Sequence, residues 1–232
     1  MNKKVSGIIG IILSIILLVY FESFFYKVLG LLNININNFS STVRTIIDIG
    51  IKLVMCFLVY LIYKKDFRRS RSKNNIFKSI LMLIVFVVVL TGIMYLNRYV
   101  VNYLGDIFNV KVLGSDYYNI FNKTLTFDLV VKIIIDYFIV PYLYCSVIIL
   151  STDKFFKRND TFIVFSGLLA SIIYALSLSG TLGFVIINSL NMFLLFAIFA
   201  FLYRRENSIW FTIFLYSFYL ILSGVVINYL GW

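Results

Sequence analysis

Carboxylates and thiols are the side chains through which this chain could do chemistry, because its 232 residues include no histidine. Histidine is the usual general base near neutral pH and the commonest metal ligand, so its absence removes most familiar hydrolytic mechanisms. Three carboxylates, Glu22, Asp48 and Asp136, lie within or beside long apolar runs. An ionisable group inside a membrane span is costly, and each is therefore a functional candidate.

Each of these carboxylates also has a structural interpretation. Glu22 and Asp48 lie near the predicted outer ends of two spans, where we expect water and lipid headgroups to reach them. Asp136 lies deeper, and Lys132 precedes it by four residues on the same helical face. This spacing favours an intrahelical ion pair at Asp136 over a proton relay.

The two cysteines, Cys56 and Cys145, lie inside apolar runs, where a cysteine usually packs as a small hydrophobic side chain. They form no disulfide framework and no Cys-x-x-Cys site. The chain also lacks a glycine-rich phosphate loop, a Gly-x-Ser-x-Gly elbow and a closely spaced acidic pair. The residues themselves therefore predict no catalytic constellation, no cofactor and no metal site.

The elements that must position these groups are membrane helices. The chain is 62% hydrophobic with a single proline, and apolar runs of about 20 residues, enough to cross a bilayer, recur along it. We predict an all-α polytopic membrane protein with about seven transmembrane helices in one integral membrane domain, 1–232. The predicted spans are 5–24, 46–63, 77–96, 129–151, 161–178, 184–203 and 209–229, and they group as N-terminal spans at 1–97, an outer-facing amphipathic segment at 98–128 and a C-terminal bundle at 129–232.

The basic residues predict the orientation. They fall on alternate connections, which the positive-inside rule assigns to the cytoplasm, so we expect the N-terminus inside and Trp232 outside. Most of the net charge of +11 belongs to these short loops, which favours contact with anionic lipid headgroups and argues against a nucleic-acid partner. The residues are Lys3, Lys4, Lys64, Lys65, Arg68, Arg69, Arg71, Lys73, Lys78, Lys154, Lys157, Arg158, Arg204 and Arg205.

Two further patterns concern contacts between elements. In the outer segment apolar residues recur at helical spacing from Val100 to Phe108 and again from Tyr117 to Phe121, which predicts amphipathic pieces on the outer leaflet or a partner-docking surface. Gly167, Ser171 and Ala175 recur every four residues and predict a close helix–helix contact. Asn188 and Asn191 share one side of a helix, and we expect them to hydrogen-bond across helices or to line a polar cavity.

The order of motifs from Pro141 to Leu220 resembles a known family. Residues 202–216 (LYRRENSIWFTIFLY) are similar to a short basic turn, a Ser-Ile-Trp entry and an apolar run that leads to a histidine. Phe165 to Leu178 resembles a helix with a Phe-x-x-x-His motif, and Pro141-Tyr142-Leu143 resembles the entry to a Glu-Glu-x-x-x-Arg motif. These are features of the CAAX prenyl endopeptidase and bacteriocin-processing family (CPBP, or Abi) of intramembrane proteases, so the resemblance implies a CPBP-like bundle.

The resemblance also implies where the family's site would lie, and the chain departs from the family at each catalytic position. Neither Tyr, Leu nor Ile ionises near neutral pH, so we expect no peptide-bond hydrolysis and expect side chains that can pack into the former cavity. Tyr144 and Cys145 stand in place of the paired glutamates, Ile149 in place of the arginine, Leu178 and Tyr216 in place of the two histidines and Leu220 in place of an Asn or Asp, whereas Ser171 and Tyr174 occupy their expected places.

The resemblance implies a non-catalytic CPBP-like protein. Degenerate relatives are scaffolds for cell-wall hydrolases or modulators of sensor kinases, and others are linked to bacteriocin self-immunity, so we expect another membrane or envelope protein as partner. Abundant Ile, Asn, Lys, Phe and Tyr suggest a low-GC bacterium and its cytoplasmic membrane. One alternative is an active intramembrane protease that uses Cys145 or Asp136; another is a transporter or channel subunit with Asp136, Asn188 and Asn191 along a path, although no inverted repeat is apparent.

Overall fold

The computed structural model describes residues 3–32, 34, 36–69, 126–156, 159–178 and 181–229, with 84–86, 88–89, 91–92, 95, 99, 102–103 and 105–107 between them. These residues are helical apart from short connections and include no strand, which confirms the predicted all-α fold. The predicted span 77–96 and outer segment 98–128 lie largely outside the described residues, and Trp232 lies outside them entirely.

The structure gives bounds for eight α-helices, and most of them are apolar enough to lie in a membrane. Five helical stretches in the described ranges are long and apolar enough to cross a bilayer, and Ile209–Gly224 forms a shorter apolar helix. The five are Gly7–Leu31, Ser41–Arg68, Phe127–Phe156, Asp160–Ser177 and Leu182–Glu206. The α-helices are α1 (Lys3–Ile15), α2 (Phe21–Leu31), α3 (Ser41–Arg69), α4 (Phe127–Ile134), α5 (Val140–Phe156), α6 (Asp160–Ser177), α7 (Leu182–Glu206) and α8 (Ile209–Tyr229).

The helices extend beyond the predicted spans at several ends. The first continues to Leu31 and the second begins at Ser41, because polar residues at a span end can stay helical after the apolar run has ended. Local capping fixes other ends: the Thr126 hydroxyl accepts the Leu129 N–H at the start of α4. Asn207, at φ 54°, ends α7 in the left-handed conformation and donates its N–H to the Tyr203 carbonyl.

Two of the spans contain a π turn. Ile16–Tyr20 joins α1 to α2, and Ile135–Ile139 joins α4 to α5. A π turn has i→i+5 hydrogen bonds, so it changes which residues share a helix face, and such turns are frequent at functional sites. The first π turn ends two residues before Glu22, and the second contains Asp136.

Helix α3 runs parallel to the α4–α5 span. At one end the Ser41 hydroxyl donates to Asp128 Oδ2 at 2.9 Å, across 87 residues of sequence. At the other end Lys154 Nζ lies 2.9 Å from Asp66 Oδ2, a separation of 154 − 66 = 88 residues. The two spans therefore stay in register along their length and run in the same direction. One further span between them, as predicted at 77–96, would return the chain to the side from which α3 starts.

Close packing at glycines fixes two other helix pairs. Helix α1 runs antiparallel to α5, with the Ser14 hydroxyl 3.3 Å from the Val147 carbonyl, and a Cβ on Gly7 would lie 2.8 Å from the Phe155 Cβ. Helix α6 packs closely on α7, where a Cβ on Gly167 would lie 2.7 Å from the Phe193 carbonyl oxygen. The small-residue contact that the sequence predicts is thus present at Gly167.

Charged residues gather at the end of the bundle where α3 and α5 terminate. Besides the Asp66–Lys154 pair, Tyr203 donates to Asp153 at 3.0 Å and Arg204 pairs with Asp160. Lys154 also lies 4.4 Å from the centre of the Tyr63 ring. Basic residues from separate connections therefore meet at this end of the bundle, as the positive-inside rule predicts. That this end faces the cytoplasm stays a prediction.

Candidate functional site

The positions that the CPBP resemblance implies lie mostly in the interior between α5, α6, α7 and α8. Cys145 and Ile149 on α5 are fully buried, and Tyr216 on α8 is 5% exposed. The hydroxyl groups of Tyr144 on α5 and Tyr174 on α6 are close enough for their charges to interact. The hydroxyl of Tyr216 is close enough to interact in the same way with both tyrosines and with the Cys145 thiol. The structure therefore brings four of the seven positions together, with Ile149 one turn further along α5.

The two remaining positions lie at the edge of this group. Leu178 is the cap residue after α6, in extended conformation and partly exposed. Leu220, one turn beyond Tyr216 on α8, packs both against the main core and against the smaller apolar cluster of Leu129 and Tyr137.

Aromatic rings fill the space between Tyr144 and Tyr216. The ring of Phe196 on α7 lies 6.4 Å from that of Tyr144 and 5.5 Å from that of Tyr216, measured between centroids. Phe199 lies 5.8 Å from Phe196 and 5.2 Å from Tyr216, and all four pairs are tilted or edge-on within the range of favourable aromatic packing. We call Tyr144, Phe196, Phe199 and Tyr216 the aromatic cluster. Side chains of this size occupy the region in which the resemblance would place glutamates and histidines.

The chemistry open to this region is limited. Cys145 Sγ lies 4.0 Å from the Thr212 carbonyl oxygen, the one hydrogen-bonding contact of its thiol among the described residues. A nucleophilic cysteine needs a neighbouring base or cation to activate it, and the fully buried thiol of Cys145 has only this carbonyl as a hydrogen-bonding contact in the described part of the chain. The geometry therefore supports packing at this position.

A group of ionisable residues lies across α2, α3 and the Ile135–Ile139 π turn. Glu22 on α2 forms a salt bridge with Lys52 on α3. Asp48 is four residues before Lys52, so both occupy one face of α3. The register of 87 to 88 residues between α3 and the α4–α5 span places Asp136 level with Asp48. We call Glu22, Asp48, Lys52 and Asp136 the ionic cluster.

Asp136 is the most deeply buried member of the ionic cluster. It is 7% exposed, and its Oδ2 atom has no hydrogen-bond partner among the described residues. The charges that act on it are Lys132, Asp48 and Lys52. One carboxylate oxygen of Asp48, Oδ1, is also buried without a partner in the described part of the chain.

The ion pair that the sequence predicts between Lys132 and Asp136 is not formed. Asp136 has no salt bridge within the described ranges, and Lys132 acts on it only as a charge at longer range. The π turn beginning at Ile135 explains the difference, because it breaks the i, i+4 alignment on which the prediction depends. Glu22 and Asp48 are both partly exposed, as expected near span ends, and Glu22 is in addition paired with Lys52.

For one of the two asparagines of α7 the structure gives a hydrogen bond within the helix. The Asn188 amide donates to the Phe184 carbonyl of its own helix at 2.8 Å, one turn earlier, so this donor does not bridge two helices. Asn191 lies on the same helix and is partly buried. The Asn188 contact does not join α7 to the ionic cluster.

No protein-family model matches the chain, and no curated protein or solved structure matches it. The CPBP resemblance therefore depends on the motifs between Pro141 and Leu220 and stays a prediction.

Proposed function

We propose that this chain is a non-catalytic, CPBP-like membrane protein that works by binding another membrane or cell-envelope protein. The aromatic cluster carries the proposal. Phe196 packs between Tyr144 and Tyr216 at the positions where the resemblance would require ionisable groups. A site built this way stabilises the bundle, and it offers a substrate no general base or metal ligand.

The exterior of the bundle supports a role in binding. Large apolar side chains face outward along every described span, and they contact the lipid bilayer; examples are Phe24, Phe57, Ile172 and Phe214. In the proposal, part of this surface contacts a partner helix instead of lipid. The partner classes that the resemblance implies are a cell-wall hydrolase, a sensor kinase or a component of bacteriocin immunity in a bacterial cytoplasmic membrane.

Cross-linking in intact cells tests the proposal. A photoreactive residue is placed at Phe214, which is exposed on α8, and in a separate variant at the adjacent Leu215, which is fully buried and serves as the matched control on the same helix. We expect the Phe214 variant to cross-link to one envelope protein and the Leu215 variant not to cross-link to it. In the reciprocal experiment, purification of that envelope protein should recover this chain. Recovery of lipid adducts alone from all exposed positions tested, together with wild-type behaviour of a deletion strain towards wall hydrolases and bacteriocins, would contradict it.

The ionic cluster favours a second candidate, a proton-coupled transporter subunit. Buried carboxylates in membrane spans are typical of proton pathways. The path that the sequence predicts is not supported at Asn188, whose amide bonds to its own helix. Proteoliposomes with an internal pH dye test this candidate: proton uptake that depends on an imposed potential and is lost in Asp136→Asn would favour it, and uptake equal to that of empty vesicles would exclude it.

A further inference from the structure

The ionic cluster contains more negative than positive groups. Glu22, Asp48 and Asp136 supply three carboxylates, and Lys52 supplies one ammonium, which forms its salt bridge with Glu22. Lys132 adds a charge from the same span as Asp136, at longer range. Helix α8, which also packs near the π turn, has no charged residue in its sequence. Asp136 is therefore left without a dedicated counter-charge among the described residues.

The cluster lies at membrane depth. Asp48 is seven residues into α3 and Asp136 is nine residues past Phe127, so at about 1.5 Å per residue both are about 10–14 Å from the start of their spans. Helical stretches of 28 and 30 residues exceed a hydrocarbon core of about 30 Å by about 6–8 Å at each end, so both carboxylates lie a few ångströms inside one boundary of that core. Their level position follows independently from the two contacts that fix the register, Ser41 with Asp128 and Asp66 with Lys154.

An ionised carboxylate at this position is unfavourable. Burial removes the water that stabilises its charge, and Asp136 Oδ2 receives no hydrogen bond from the described residues in return. Neighbouring Asp48 adds like-charge repulsion, and Lys132 and Lys52 oppose it without forming a salt bridge with Asp136. A bound positive charge removes both penalties.

The proton is the ligand that the geometry favours. A bound metal ion requires several converging ligands, and the described residues contain no group of three acidic or cysteine side chains close enough to hold one. A proton requires a single carboxylate oxygen. The Oδ2 atom of Asp136, which has no hydrogen-bond partner among the described residues, provides that oxygen. The charges of Asp48 and Lys52 on α3 act on this carboxylate.

We propose that Asp136 is an intramembrane proton-binding site, protonated at neutral pH, with Lys132, Asp48 and Lys52 as the charged groups that act on it. Glu22 is the most exposed member, which gives the cluster an edge from which a proton can enter. The proposal does not depend on the proposed partner-binding function, because it concerns different helices and a different measurement.

Infrared difference spectroscopy of the purified full chain in an ester-free detergent tests the proposal. At neutral pH we expect the C=O stretch of a protonated carboxylic acid, which shifts on exchange from H₂O to D₂O. The band should be lost in Asp136→Asn and kept in Asp160→Asn, the control at an exposed carboxylate paired with Arg204 at the other end of the bundle. If Asp136→Asn does not purify as a monodisperse protein, Asp136→Glu replaces it, and the band should then persist at a changed frequency.

Three outcomes would overturn the proposal. Absence of the band from the wild-type protein would show that Asp136 is ionised. A band lost in Asp48→Asn but kept in Asp136→Asn would assign the proton to Asp48. A band that is absent in sodium chloride and present in choline chloride would show that sodium is the bound cation at neutral pH.

Discussion

The aromatic cluster and the ionic cluster are two buried regions with opposite chemistry. In the C-terminal bundle, where the CPBP resemblance would place ionisable groups, Phe196 and Tyr216 pack as rings in contact. Between α3 and the Ile135–Ile139 π turn, where no motif predicts a site, Asp136 and Asp48 bury carboxylate oxygens without partners in the described structure. The membrane interior is therefore packed with aromatic rings in one region and holds buried carboxylates in another, and buried carboxylates in a span are costly enough to make that second region a functional candidate.

Truncation of the central ring should have the largest effect on the aromatic cluster. Phe196→Ala removes a fully buried side chain that contacts three other rings, so we expect the free energy of unfolding to fall by about 3–5 kcal/mol. The measurement is thermal or denaturant unfolding in detergent. Phe201→Ala, at a position on α7 that is 47% exposed, is the matched control and should change stability little. Equal losses in the two variants would show that the cluster is not a packed core.

A smaller loss is expected at the contact between α6 and α7. Gly167→Ala places a Cβ against the Phe193 carbonyl oxygen, a backbone atom that cannot move aside easily, so stability should fall by about 1–3 kcal/mol. Gly50→Ala is the control, because nothing lies within 4 Å of its Cβ position, and the better helix propensity of Ala should leave stability unchanged or raised. Unfolding curves in the same detergent make the comparison, and an undiminished stability of Gly167→Ala would rule out the close contact.

The salt bridge of the ionic cluster is predicted to contribute less than the aromatic core. Glu22→Gln leaves Lys52 without its partner, and because both side chains are partly exposed we expect a loss of about 1–2 kcal/mol, below that of a fully buried pair. Asp66→Asn, at the end of the bundle, should lose no more than about 1 kcal/mol. A double-mutant cycle with Lys52→Gln isolates the pair. A coupling energy near zero would remove the salt bridge from the description of the cluster.

The sequence predicts the helices well, because each apolar run is a local signal that needs no knowledge of neighbours. The helix ends are less well predicted, since α2 continues through Glu22 and Lys27 after the apolar run has ended. The sequence also shows that Tyr144 and Tyr216 stand where the CPBP resemblance would place ionisable groups. It does not show their packing around Phe196, because α7 supplies that ring from a distant part of the chain.

The sequence marks Glu22, Asp48 and Asp136 as candidates but does not show that they lie together in the ionic cluster. Its members come from three helical segments, and one sequence does not reveal which helices lie side by side. Asp48 and Lys52 carried a local signal, an i, i+4 pair inside an apolar run. The pairing of Asp136 was mispredicted because a π turn alters the face of a helix without leaving a clear mark in residue spacing.

The most direct test of a non-catalytic bundle compares the peptides released or retained by cells that differ only in this chain. A deletion strain is complemented either with the wild-type chain or with the double variant Cys145→Ala/Tyr216→Phe. The double variant lacks the thiol and one hydroxyl but keeps the aromatic ring at position 216. Peptides in the membrane and in the medium are quantified by mass spectrometry at matched expression. We predict that the two complemented strains have the same peptides and the same phenotype. A cleavage product made by the wild-type chain and missing from both the deletion strain and the variant would contradict that prediction.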